Sequence, residues 1–239
     1  MKKVFFLGVT FILSLCLLCD LPYAQEALWA DEIRDLKTQA QEGNITAQFR
    51  LGLMFSQAQG VRQSFEAAHK WFRMAASGGH PQAEFQLGLL YAKGEGVEQD
   101  YIMARSWYMK ANAGGNLIAA NKLGLMYLLG QGVDQDDKVA INWWLHAATR
   151  GHVLSQYNLG SMYEQGRGVQ KDFIEAYAWY NIAASENYAR AQRARKLVSK
   201  KLSPEDLKKA VARSQEYYEM YVVPFIKIEK PAVRRQKSE

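Results

Sequence analysis

The feature that most constrains this chain is a self-similarity at a constant step of 36 residues. Leu-Gly recurs at 51–52, 87–88, 123–124 and 159–160. Tryptophan keeps the step at Trp71, Trp107, Trp143 and Trp179. Alanine keeps it at Ala68, Ala104, Ala140 and Ala176, and again at Ala75, Ala111, Ala147 and Ala183. Gly-Val recurs at 60–61, 96–97, 132–133 and 168–169, and an aromatic ring holds Phe55, Tyr91, Tyr127 and Tyr163. No insertion or deletion interrupts the four units. A period between 20 and 50 residues marks an array of small units, none of which buries its apolar face alone. A length of 239 residues would also suit one ordinary domain, but the repeat decides for the array.

Each unit reads as two helices, so the chain is all-α. In the second unit Ala83, Leu87, Leu90 and Tyr91 share one face of a first helix, expected from about Ala83 to Lys93. Gly94-Glu95-Gly96-Val97 turns the chain. Asp100 then stands at an N-cap position, matched by Ser64, Asp136 and Asp172. Serine and aspartate share the ability to accept from free N–H groups of a first helical turn, which points to capping and not to catalysis. Ala104, Trp107, Tyr108 and Ala111 mark the second helix, which ends at Gly114-Gly115.

Glycine inside a helix costs about 1 kcal/mol relative to alanine. Gly88 and its three counterparts are therefore expected to permit close approach of two helix backbones. The large Trp107 is expected to fill the space beside them. Burying aromatic side chains of about 150–250 Å² each, at roughly 25 cal/mol per Å², offsets the propensity cost.

Gly94-Glu95-Gly96 also invites comparison with phosphate-binding loops. A P-loop needs Lys-Ser/Thr after its last glycine, and a dinucleotide fingerprint needs a preceding strand. Here valine follows, a helix precedes, and the first unit has Ala58 in place of a glycine. The segment is a turn, and no cofactor is expected.

On these residues the chain resembles the Sel1-like repeat family, relatives of the tetratricopeptide repeat with a longer turn. The family pattern is met in the second unit by Ala83-Glu84, Leu87-Gly88, Tyr91, Gly94, Gly96-Val97, Asp100, Ala104, Trp107-Tyr108, Lys110-Ala111 and Gly115. Met103 and Asn112 depart from it. The resemblance covers residues 46–190, with a degenerate half unit or cap at 25–45, where Asp35 takes the tryptophan's place. It implies a right-handed α-solenoid of helix-turn-helix repeats, closed by C-terminal capping helices at 191–222. It also implies a role in protein–protein interaction. Some cysteine-rich members of the family are linked to β-lactam binding or hydrolysis, but their paired cysteines are missing here.

The two ends differ from the repeats. Residues 1–24 have the plan of a signal peptide: Lys2 and Lys3, an apolar run from Val4 to Leu18, then Pro22 and Ala24. Cleavage after Ala24 places the protein in the periplasm or outside the cell, with no transmembrane segment in the mature chain. Leucine precedes both Cys16 and Cys19, where a lipoprotein has a small residue, so no lipid anchor is expected. These are the only cysteines, and the mature chain is held by packing alone. The formal charge is +6, and losing Lys2, Lys3 and Asp20 leaves about +5. The excess lies late in the chain, from Arg190 to Lys209 and in Arg234-Arg235-Gln236-Lys237. Ala191 to Lys201 is expected to continue a helix. Ser203-Pro204-Glu205-Asp206 has the composition of a helix start, and a final helix is expected from about Pro204 to Met220. Residues 223–239 read as a basic, extended or disordered tail.

No catalytic or metal-binding constellation emerges. His80 and His152 share a turn position with Asn116 and Tyr188, so polarity explains them better than ligation. There is no HExxH and no Gly-x-Ser-x-Gly, and Asp134-Gln135-Asp136-Asp137 lacks the glycine and late glutamate of a calcium loop. No basic stripe runs through the repeats, which excludes nucleic acid as the expected partner. The expected partner is a protein or peptide. Its binding site is expected on the free face of the first helices: Arg50; Gln86, Leu89 and Lys93; Lys122, Leu125 and Leu129; Asn158 and Gln165. The expected role is a non-enzymatic, exported adaptor in envelope assembly, signalling or host contact. The alternative is a cell-wall-fragment-binding or β-lactamase-like enzyme, which an acid–base cluster in the groove would favour.

Overall fold

The computed structural model describes residues 29–224, so the expected leader and the expected basic tail from residue 225 on lie outside the described residues, while residues 223 and 224 of that tail are helical. Those residues form helices joined by turns, with no strand among them. They divide into two compact units at Gln99/Asp100. Helix α1 covers 29–41. With α2 (Ile45–Gln57), α3 (Phe65–Ser77) and α4 (Pro81–Lys93) it makes up the first unit. The second holds α5 (Tyr101–Ala113), α6 (Leu117–Leu129), α7 (Asp137–Ala148), α8 (Val153–Gln165), α9 (Phe173–Ser185), α10 (Ala189–Ser199) and α11 (Pro204–Tyr221).

The regularity follows from local chemistry repeated in register. Ser64, Asp100, Asp136 and Asp172 cap α3, α5, α7 and α9, each side chain accepting from backbone N–H groups of the first turn. The first helices start two residues earlier than Ala83 and its counterparts suggest, because the turn residue before them is also an N-cap. Asn44 and Asn116 accept through Oδ1, and His80 and His152 through Nδ1. At their other ends α4, α6 and α8 close on Gly94, Gly130 and Gly166 in the left-handed conformation. Ala58 adopts the same conformation at φ 57° without glycine's freedom.

The second glycine of each turn has a packing reason. A methyl group on Gly96 would lie 2.6 Å from the backbone nitrogen of Glu66, at the start of α3. One on Gly132 would lie 2.7 Å from Tyr101 Cβ, at the start of α5. These turns are pressed against the previous repeat's second helix, which is what the Gly-x-Gly pairs are for.

The helix glycines do mediate close approach, but the ring beside them is not the expected tryptophan. It is the residue after it. Gly52 faces the ring of Phe72, Gly124 that of Trp144 and Gly160 that of Tyr180. Phe72, Tyr108, Trp144 and Tyr180 are all fully buried, whereas Trp71, Trp107 and Trp143 are half-buried. In α1, Leu36 takes the corresponding place and packs with Ala40, Ala47, Leu51 and Met54.

Past residue 190 part of the first-helix register persists. Tyr188 occupies the N-cap position without a side-chain cap bond, and Ala191 stands fully buried where Ala47, Ala83 and Ala119 stand in the repeats. Helix α10 is thus a further first helix, begun afresh after Asn187 at φ 60° instead of continuing α9. Arg195-Lys196 replaces Leu-Gly, and no second helix follows in the repeat's manner. Instead α11 lies along α9. Tyr217 and Tyr221 stack on Trp179 at 4.7 and 5.9 Å, and Val222 enters the core with Ile182 and Trp144. This is the C-terminal cap.

Candidate functional site

The first helices are buried on most of their circumference. Ala83, Leu87, Gly88 and Leu90 face inward on α4, as Ala119, Leu123, Gly124 and Met126 do on α6. Part of what is left is a stripe at i, i+3 and i+7, and Thr46, Gln82, Ile118 and Leu154 are exposed outside it. In the first unit it holds Arg50 on α2 and Gln86, Leu89 and Lys93 on α4. In the second it holds Lys122, Leu125 and Leu129 on α6 and Asn158 and Gln165 on α8. Gln86, Leu89, Lys122, Leu125 and Asn158 are half-buried, and Arg50, Lys93, Leu129 and Gln165 are exposed. Leu129 keeps 54% of its surface in water.

Within the first unit, Phe49 of α2 stacks on the His80 ring at the start of α4 at 4.4 Å. Within the second, Asn121 Nδ2 of α6 donates to Ser155 Oγ of α8 at 3.0 Å. The same serine hydroxyl lies 2.9 Å from His152 Nδ1. That nitrogen already accepts from the Ser155 backbone N–H, so it is unprotonated and the hydroxyl donates to it. Burial pushes the His152 imidazole below its usual value, as it does for His69, His80 and His146. His80 and His152 are structural acceptors, whereas His146 donates through Nε2 to Asn112 Oδ1 at 3.1 Å. Among the described residues no three His, Cys, Asp or Glu side chains gather as a metal ion would need.

The polar members of the stripe differ in how far they are committed. Arg50 is paired with Glu32 of α1, and Lys93 lies 3.3 Å from Glu95 Oε1. Gln165 donates to Ser161 Oγ at 2.7 Å. Lys122 has no ion-pair partner among the described residues. These pairs are solvent-exposed and each is worth under about 1 kcal/mol, so they are readily exchanged for a ligand's groups. The surface offers amide and ammonium donors beside leucine side chains. It suits recognition of a chain with acceptors and apolar groups, and holds no acid–base pair.

Sequence reasoning missed one recurring device. Gln48 Nε2 donates to the Ala40 carbonyl at 3.0 Å, and Gln156 Nε2 to the Ala148 carbonyl at 3.2 Å. Each adds a second donor to a carbonyl in the last turn of the preceding helix, which already accepts from the Gly43 or Gly151 backbone N–H. The position reads Gln, Glu, Ala, Gln across the four units, and that alternation of amide and carboxylate was its only signal.

The Sel1 repeat family model matches residues 45–80, 81–116, 117–152 and 153–188. Among solved structures, a Sel1 repeat protein from Oxalobacter formigenes superposes with a TM-score of 0.66 at 32% identity, over 80% of this chain and 78% of that one. The protein c5321, a protective antigen of uropathogenic Escherichia coli with the same type of repeat fold, gives 0.52 at 27% identity. That likeness covers 85% of this chain and 52% of the other. No curated protein matches the chain. Sel1 repeat proteins generally mediate protein–protein interaction and are typically non-enzymatic. No helix among the described residues is long and apolar enough to cross a membrane. With four uninterrupted matches over more than half its length, this chain belongs to the Sel1 repeat family.

Proposed function

We propose that the protein is an exported, non-enzymatic adaptor that holds a protein or peptide partner against the exposed stripe of its first helices. One observation carries the reading. Arg50, Lys93, Leu129 and Gln165 are exposed, and the registers Gln86-Leu89-Lys93 and Lys122-Leu125-Leu129 set long polar donors beside half-buried or exposed leucines. A helix or extended segment with apolar anchors and carboxylates fits such a surface. Export rests on residues 1–24, and it agrees with the c5321 neighbour's description as a protective antigen. Envelope assembly, signalling and host contact are the settings in which such an adaptor acts.

The test is affinity capture after crosslinking in the native cells, with the wild type and the double variant Lys93→Glu, Lys122→Glu compared at equal folded amounts. The expected result is a partner held by the wild type and lost by the variant. A partner retained by both moves the site off this stripe, and no partner at all defeats the adaptor reading.

A further inference from the structure

From Asn187 to Pro204 the chain carries six cations, Arg190, Arg193, Arg195, Lys196, Lys200 and Lys201, and no carboxylate. Helix α10 sorts them. Ala191 and Val198, seven residues apart, are its fully buried residues and fix its inner side. Arg193 and Lys200, also seven apart and half a turn away, point outward, with Arg190 and Lys196 flanking them. Arg195 turns inward and donates to Asn181 Oδ1 at 2.6 Å, and Lys201 pairs with Glu164 at 2.8 Å. Arg190, Arg193, Lys196 and Lys200 are exposed and have no ion-pair partner among the described residues. Leu197 sits among them with 59% of its surface in water. Lys209 at the start of α11 is different, being shared between Glu205 and Asp206.

In the repeats each first helix is covered by its own second helix, and here α11 has gone to α9. An uncovered helix with unneutralised guanidinium and ammonium groups around a projecting leucine is the pattern of a helix lying at a lipid interface. The charges meet phosphates, and the apolar side chain enters the acyl boundary. Beside it, Tyr177, Gln192, Arg195, Lys196, Ser199 and Leu207 line an open recess of about 560 Å³, room for a phosphoglycerol headgroup. We propose that the outer face of α10 docks the protein on an anionic phospholipid bilayer, separately from the partner stripe on the first helices.

Vesicle co-sedimentation of the full chain tests this, using phosphatidylglycerol–phosphatidylcholine vesicles against pure phosphatidylcholine. Every variant keeps Lys2, Lys3, the apolar residues 4–18 and the basic C-terminal residues, so their share of binding cancels between wild type and variant. The wild type is expected to bind the anionic vesicles at least tenfold better and to lose that preference as salt rises from 50 to about 500 mM. Arg193→Glu with Lys200→Glu should lose the preference about tenfold or more. Arg193→Gln with Lys200→Gln, which adds no repulsion, should lose it by a smaller factor. Lys70→Glu with Arg73→Glu, an equal charge change at exposed sites of α3, should keep it. Leu197→Ser should weaken binding a fewfold at unchanged salt dependence. Equal loss in the α3 and α10 variants would reduce the effect to net charge and overturn the proposal. So would wild-type binding that ignores lipid charge, or capture by poly-glutamate in preference to the vesicles.

Discussion

The third and fourth repeats are built alike and end differently. Both place a glycine, Gly124 or Gly160, under a fully buried ring, and both set a tryptophan, Trp143 or Trp179, one residue before that ring. In the third repeat Trp143 remains half-exposed. In the fourth Trp179 is 3% exposed, because Tyr217 and Tyr221 of α11 lie on it. The glycine–ring contact is thus internal to a repeat, and it recurs at Gly52, Gly124 and Gly160. The tryptophan is a joint whose burial depends on what comes to rest against it. A second contrast lies at the N-caps: Asn116 opens α6, whereas His152 opens α8 and adds a titratable group to the same backbone bond.

The largest effect short of the glycines should come from returning the fourth repeat's tryptophan to the state of the third. Tyr217→Ala removes the ring from Trp179 and the hydroxyl that donates to Glu175 at 2.7 Å, and is expected to cost about 2–3 kcal/mol in urea unfolding. Tyr217→Phe keeps the stack and should cost only about 1 kcal/mol. Equal costs for the two would show that the stack contributes nothing and that α11 is held by polar contacts alone.

The N-cap contrast is sharpened by pH. Burial lowers the folded imidazole of His152 below its unfolded value, so its share of stability is complete above about pH 6.5. It is lost as pH falls through the lowered folded value, when a proton on Nδ1 displaces the bonds from the Ser155 backbone and hydroxyl. His69, His80 and His146 are shifted the same way and add to the loss. The wild type should therefore lose stability between pH 7.5 and 5. His152→Asn, which makes the fourth cap like the third, should remove about 1 kcal/mol of that loss while changing stability at pH 7.5 by under about 0.5 kcal/mol. An unchanged pH slope in the variant would contradict the assignment of the cap.

How much of this was legible depended on whether identity or only role was repeated. Leu-Gly, Gly-x-Gly-Val and the Ser/Asp caps recur as residue types, and each does in the fold what its chemistry required. The buried ring does not recur as a type: Phe72, Tyr108, Trp144 and Tyr180 share aromaticity alone. The constant tryptophan beside them drew the packing role by its size. The stripe on the first helices was read from where the apolar positions are not, and in the fold Gln86, Leu89, Lys122, Leu125 and Asn158 of it are half-buried. The reach of Gln48 and Gln156 to carbonyls eight residues back was not, since it depends on how two helices meet. Nor was the continuation into α10. Its register survives at Tyr188, Ala191 and Val198 alone among its buried and capping positions, and α11 packs on the helix before it, where it meets Trp179.

The claim beneath all of this is that the repeated glycine surrenders helix propensity so that an aromatic ring can lie against bare backbone. Gly124→Ala tests it by sign. A methyl group there would come within 2.5 Å of the Trp144 indole nitrogen, which itself donates to the Asn121 carbonyl at 3.1 Å. Propensity alone would make the variant about 1 kcal/mol more stable. The packing account predicts that urea unfolding shows a loss of about 1–3 kcal/mol. A measured gain in stability would contradict it.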